Sequence, residues 1–453
     1  MKKALEYAAE HQTRFVSELK DLLRIKSIST DATYQGEVHR AAEWVASHLL
    51  GIGMQTAVVH GTGGHPIVTA EYHAGDGLPT VLVYGHYDVQ PPDPLDQWKT
   101  PPFEPTEKNG DLYARGASDD KGQMFMHAKA AEAYLATGGL PINLKFLVEG
   151  EEESGSIHLR PFIEAHQAEL SSDLVLISDT ALFGDGIPSI TFGLRGLAYV
   201  EVILKGPNRD LHSGVYGGAV ENPINALARI IGSLHDQDHR VTIPGFNENV
   251  RELTEEERKE IRELPFDEKE WLGSVGLSRA WTETGSSVLE AIWTRPTLDV
   301  NGIWGGYQGE GAKTVLPSVA GAKISMRLVP DQRPDELVSK LKHYLEAVVP
   351  PTMTMEFRDL HGGQAVIVDT STPAMQAALT AMEDVFGKKA RFVREGGSIP
   401  VVADFKQVMG IDTVLMGFGL NSDAIHSPNE HFGLDRFRKG IEASIRFMHA
   451  LGG

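Results

Sequence analysis

Val81-Leu82-Val83-Tyr84-Gly85-His86-Tyr87-Asp88 is the stretch that sets the fold class of this chain. Its opening residues are β-branched or aliphatic with no polar interruption, which predicts a buried strand. Gly85 breaks the run, and His86 and Asp88 stand at its mouth. Residues two apart on an extended chain point to the same side. One of the pair can therefore meet a metal ion while the other supports it from behind.

The flanking sequence alternates helical and strand-like patterns up to about residue 179. Upstream, Val38, Ala41, Ala42, Val45 and Leu49 recur at helical spacing, and Gly51 and Gly53 close that helix. Downstream, the patterns predict a helix over 123–136, a strand over 144–148, a helix over 157–168 and a strand over 174–177. Near-continuous apolar strands separated by helices predict an α/β domain, a mainly parallel sheet with helices on both faces. From about residue 190 the pattern changes. A long strand is expected over 197–204, a helix over 223–235, and a charged insertion spans 252–271. Strand-like segments near 289–293 and 322–329, a helix over 334–348 and a strand over 353–357 follow. Few helices and several long strands predict a separate α+β domain with one antiparallel sheet. After His361-Gly362-Gly363 the alternation resumes, with helices over 373–386 and 434–451 and a strand over 413–416. The expected organisation is a catalytic domain of residues 1–190 and 363–453, with residues 191–362 inserted.

Bulk properties narrow the function. The chain has 453 residues, which favours more than one domain. Forty-two basic against 62 acidic residues give a net charge of −20, which repels nucleic acid and anionic membranes. No apolar run approaches the ~20 residues of a membrane-spanning helix. The first residues, Met-Lys-Lys-Ala-Leu-Glu-Tyr-Ala-Ala-Glu-His, read as an amphipathic helix continuing through Phe15, Leu19 and Leu22-Leu23 rather than as a signal peptide. The expected setting is cytoplasmic. There is no cysteine, so any bound metal must use imidazole and carboxylate.

Acidic and histidine residues recur just beyond the expected strands. His86 and Asp88 follow the first, Glu151, Glu152 and Glu153 the second, Asp179 the third, and His426 lies beyond the fourth. Ligands of an open α/β sheet gather outside the carboxyl ends of its strands. Asp119-Asp120 stands just before the helix expected at 123. Each piece alone has a plain structural reading: a turn, a solvated glutamate run, a helix cap. Their conjunction points to one site. Two histidines, a glutamate and two aspartates suffice for two ions sharing one carboxylate, with a water between ions ~3.5–4 Å apart. A carboxylate that is not a ligand must then carry the water's proton. Spacing alone does not choose among Glu151, Glu152 and Glu153.

The chain resembles the M20 family of metallopeptidases, most closely its cytosolic dipeptidase and carnosinase-like branch. The resemblance rests on Gly85-His86-Tyr87-Asp88-Val89-Gln90-Pro91, Tyr113-Ala114-Arg115-Gly116, Asp119-Asp120-Lys121-Gly122 and Glu152-Glu153-Ser154-Gly155-Ser156. It continues through Ser178-Asp179, Gly193-Leu194-Arg195-Gly196, Asp210-Leu211-His212-Ser213-Gly214, Arg394-Glu395-Gly396-Gly397-Ser398 and His426-Ser427-Pro428-Asn429-Glu430. It implies His86, Asp119, Glu153, Asp179 and His426 as ligands of two divalent ions, zinc or manganese. Asp119 would be the shared ligand, joined to Asp120 by a cis peptide. Glu152 would be the general base and Asp88 would orient His86. The inserted domain would be a lid that also forms a homodimer. His212 would reach the partner's site as an oxyanion stabiliser, and Arg327 would hold the substrate's terminal carboxylate. Thr314 and Ser398 would add substrate contacts. The implied activity is hydrolysis of dipeptides or short peptides. The alternatives are an N-acyl-amino-acid deacylase or desuccinylase of the same frame, and a non-catalytic peptide-binding relative.

Overall fold

The apolar run at 81–83 lies in a strand, Thr80–His86, that is buried from Val81 onward. The computed structural model in which it is seen describes residues 1–397 and 399–453. The strand pairs in parallel with Asn143–Glu149 on one side and Leu174–Ile177 on the other. Two parallel neighbours leave no polar edge, which is why both its faces are apolar. The strand order continues from Leu174–Ile177 to Thr413–Leu415, again in parallel, and then to Ser189–Leu194, antiparallel. On the other side Ile67–Tyr72 and Thr56–His60 add antiparallel strands. The sheet is thus parallel through its centre and antiparallel towards its edges.

Helix Lys121–Leu135 packs on Thr80–His86 and against the N-terminal helices and the C-terminal helix Leu434–Gly452. It approaches the strand closely at Gly85. A Cβ there would lie 2.6 Å from Met124 Cγ and 2.7 Å from Asp120 Oδ2, so glycine is what allows the contact. Helix Gln35–Gly51 covers Thr56–His60 and Ile67–Tyr72. The helix expected at the N-terminus is two, Lys2–Glu10 and Gln12–Leu23, interrupted at His11.

The chain divides into two units. One comprises Met1–Phe192, Val368–Val393 and Asp404–Gly453, the other Gly193–Ile367 and Arg394–Ala403. Residues 363–367 and 394–403, expected in the first domain, belong to the second unit. The second unit holds a four-stranded antiparallel sheet in the order Thr297–Gly305, Val319–Leu328, Gly196–Lys205, Thr354–Gly363. Burial alternates along Gly196–Lys205, so Ala198, Val200, Val202 and Leu204 face a core that helices Pro223–Gly232 and Pro334–Val348 complete. One expectation fails here: the strand near 289–293 is a helix, Val288–Thr294. Ser287 Oγ accepts from the Glu290 amide and the Glu290 carboxylate accepts from the Ser287 amide, a capping box that fixes a helix start. The 252–271 insertion forms two short helices, Glu255–Arg262 and Glu268–Ser274, capped by Thr254 and Asp267.

Candidate metal centre

Parallel strands end at the same edge of a sheet, so whatever follows them meets there. His86 is the last residue of its strand and pairs in register with Glu149, the last of the next. Its imidazole is fully buried, with Nε2 3.0 Å from Asp119 Oδ1 and 3.9 Å from Asp179 Oδ2. Nδ1 faces backward, 3.3 Å from Asp88 Oδ1. Asp88 has a second task that its spacing did not reveal. Its carboxylate accepts from the amides of Glu152 at 3.3 Å and Glu153 at 3.0 Å, tying the glutamate turn to the histidine.

That turn, Glu152–Ser154, closes through Gly155 at φ 100. It separates the three glutamates. The Glu151 carboxylate accepts from the His65 amide at 3.0 Å and pairs with His158 Nδ1 at 2.8 Å, which anchors the turn to the 61–66 loop. Glu153 Oε2 lies 3.1 Å from His426 Nε2 and accepts from Gln90 Nε2 at 2.8 Å. His426, at φ 57, also places Nε2 2.9 Å from Asp119 Oδ2. The centre opens to solvent on this side, since His426 keeps 55% of its side chain exposed whereas His86 keeps none.

Two sets of converging donors result: His86, Asp119 and Asp179; and Asp119, Glu153 and His426. Within each set one ligand atom per residue lies within 4.8 Å of the others. The Asp119–Asp120 peptide is cis, and Asp120 Oδ2 accepts from the His86 amide at 3.2 Å. Each set combines one imidazole with two carboxylates, a composition that zinc and manganese accept.

The electrostatics point the same way. Burial alone would favour neutral His86, yet the hydrogen bonds its ring donates to the Asp119 and Asp88 carboxylates push its imidazole well above the ordinary range. Asp119, then Glu153, push His426 up to about 10. Burial raises the Asp119 carboxyl, but His426 and His86 outweigh it and hold the group below the carboxylate range. The Glu152 carboxyl is pushed well above its ordinary value, first by burial and then by Asp179 and Asp119, with His86 opposing. A cluster this rich in carboxylates therefore calls for positive charge, which protons on two imidazoles otherwise supply. The residues present fit a pair of divalent cations.

A third acidic-histidine group, Glu18, His48 and Glu132, does not. The Lys129 ammonium already fills it, 2.5 Å from Glu18, 2.8 Å from Glu132 and 2.7 Å from His48 Nε2. Burial and Lys129 push His48 down to about 4, so its ring accepts from the ammonium.

The remaining expected residues lie in the second unit. His212 is exposed, and its Nδ1 accepts from the Gly214 amide at 2.9 Å. It sits opposite Val315 in a two-residue ladder, and Thr314 O accepts from the Ser213 amide, so His212 and Thr314 are neighbours. Arg327 is half-buried in Val319–Leu328, opposite Leu197 and Thr297. Burial lowers its pKa and Asp299 opposes the shift. Ser398 lies outside the described residues.

Among known proteins, the chain is 34% identical to the Cys-Gly metallodipeptidase dug1 of Schizosaccharomyces pombe, over 99% of this chain and 98% of that one. It is 32% identical to the human Beta-Ala-His dipeptidase, over 99% and 92%. The crystal structure of human carnosine dipeptidase 1 superposes with a TM-score of 0.87 at 31% identity, covering 100% of this chain and 98% of that one. No helix among the described residues is long and apolar enough to cross a membrane. With residues 82–450 matching its description, the chain belongs to peptidase family M20/M25/M40.

Proposed function

We propose that the protein is a dinuclear metallodipeptidase that cleaves dipeptides or short peptides. His86, Asp119, Asp179, Glu153 and His426 hold two divalent ions, zinc or manganese, and Glu152 is the general base. The observation that carries this is Asp119, whose two oxygens face different histidines at 3.0 and 2.9 Å. The dipeptidase names of relatives that align end to end with this chain support the substrate class.

When bound, the ions polarise the scissile carbonyl and acidify the attacking water. The chain's residues do the rest. Asp88 holds His86 and the Glu152–Glu153 turn in one arrangement. Glu152 takes the water's proton as the oxygen adds to the carbonyl carbon. It returns that proton to the amide nitrogen as the C–N bond breaks. A carboxylate whose pKa is pushed upward by burial is a stronger base than a solvated one.

On the resemblance, Arg327 takes the substrate's free carboxylate, with Thr314 and Ser398 as further contacts, and His212 of a second copy steadies the oxyanion. A planar guanidinium suits bidentate carboxylate binding in a way an ammonium does not. Arg327→Lys is expected to raise KM for dipeptides about 10–100-fold with little change in kcat, the loss of a hydrogen bond to a charged group. An unchanged KM in steady-state kinetics rejects the assignment. Pairing of two copies through the inserted unit rests on the resemblance; that unit exposes Val275, Leu277, Trp281, Ile303 and Tyr307. Light scattering that finds an active monomer refutes it. The setting we expect is cytoplasmic, and recovery of the activity only outside the cytoplasm counts against that.

The direct test strips ions with a chelator, then restores zinc or manganese before assaying dipeptides, tripeptides and N-acyl amino acids. Activity should fall to background and return with either or both ions, with dipeptides preferred. Better turnover of N-acyl amino acids, or full activity without ions, overturns the reading.

A further inference from the structure

Behind the metal centre lies a carboxylate that the mechanism above does not use. Glu430 has no exposed surface, and its carboxylate accepts four hydrogen bonds. Oε2 takes Arg115 Nη1 at 2.8 Å and the Gly116 amide at 2.9 Å. Oε1 takes the Ser118 amide at 3.0 Å and the Asp119 amide at 3.1 Å. Arg115, itself buried, is held in turn by Pro91 O at 3.1 Å and stacks over Trp98 at 5.5 Å. The segment that brings Glu430 also brings His426, four residues earlier. Its other end is fixed by Asp423, which accepts from Ser118 Oγ at 2.9 Å and from both Arg436 terminal nitrogens at 2.6 Å.

The consequence follows from geometry. The Asp119 side chain can face both histidines only if its Cα is placed correctly, and its amide is pinned to Glu430. Asp119 and His426 therefore share one rigid mount, although 307 positions separate them (426 − 119). We propose that Glu430 is a positioning residue for the metal centre: through the amides of Ser118 and Asp119 it sets the direction of the Asp119 carboxylate relative to His426. It thereby sets ion affinity at both donor sets at once. This rests on the reading of those sets as ion sites.

Only an ionised carboxylate presents acceptors on both oxygens to four donors. In Glu430→Gln one acceptor becomes an NH2. Whichever way the amide is turned, two donors then confront a donor, either Arg115 and Gly116 or Ser118 and Asp119. Loss of a partner behind a ligand typically weakens metal binding about 10–100-fold.

The test titrates zinc, and separately manganese, against a competing chelator into ion-stripped wild type, Glu430→Gln and Glu430→Asp. Unfolding of each ion-free protein is followed in parallel. In Glu430→Gln both ions should weaken together by about 10–100-fold. Its kcat should recover as the ion concentration rises, and KM for a dipeptide should stay near wild type, because Glu430 does not reach substrate. Glu430→Asp keeps the charge but is one methylene too short to serve both donor pairs, and should weaken both ions less. If Glu430→Gln does not fold, Glu430→Asp decides on the same readouts. Wild-type affinity for both ions, weakening of one ion alone, or lowered stability of the ion-free protein with unchanged affinity each overturns the proposal. A wild type that takes up fewer than two ions instead overturns the metal-centre reading on which it rests.

Discussion

Glu152→Gln is expected to lower kcat about 10³–10⁴-fold, the scale of a lost general acid–base group, while the protein still binds two ions. Glutamine has nearly the same shape and keeps the hydrogen bond from the Glu152 amide to Asp88, so the turn should hold. What it loses is the capacity to accept a proton. The position suits a base: the side chain is largely withdrawn from water and stands among Asp179, Asp119 and Glu153, all of which raise its pKa. Asp88 orients the turn without being consumed in the chemistry, so the defect should lie in kcat and not in KM. Steady-state kinetics on a dipeptide, with metal content measured on the same sample, separates the two roles. A kcat within tenfold of wild type removes Glu152 from the mechanism. Loss of an ion with loss of turnover reassigns it as a ligand.

Asp119→Asn should be more severe, abolishing binding of both ions and all activity. Asparagine keeps one oxygen, so at most one of the two sets retains three donors, and both lose a negative charge. The expected weakening per ion exceeds the ~10–100-fold typical of residues that stand behind a ligand. His86→Ala and His426→Ala are the controls, because each imidazole belongs to one set only. Each should cost chiefly one ion. Chelator competition that finds Asp119→Asn retaining even one ion at wild-type affinity shows that Asp119 is not shared.

Local patterns carried far where the physics was local. Val81-Leu82-Val83 is apolar on both faces because it is flanked by parallel strands, and the run says so without help. Helices Pro334–Val348 and Pro373–Phe386 begin at the proline that marks their first turn, and the expected ranges match the observed ones. The segment at 289–293 shows the limit. Leu289, Ala291, Ile292 and Trp293 are apolar without a strict period, so type hangs on the flanks. Ser287 just before the segment and Glu290 within it form a capping box, a helix-start signal that is present in the letters. The insertion at 252–271 was legible only as charge, although Thr254 and Asp267 are helix caps.

The centre divides along the same line. The sequence by itself determined the chemistry: no thiolate, two histidines and a set of carboxylates, each standing after a strand or before a helix. Residue type and strand ends are local properties, and parallel strands must deliver their ends to one edge. Tertiary structure alone decided which atom does what. Three consecutive glutamates are equivalent in the chain. They diverge because His65 and His158 take Glu151 while His426 and Gln90 take Glu153. Likewise Asp88 lies two residues from His86 but also holds the turn at 152–153, and Glu430 holds an amide more than 300 positions away (430 − 119). Buried carboxylates must find donors wherever the fold brings them, and those partners are set by packing between distant segments, which no local pattern encodes.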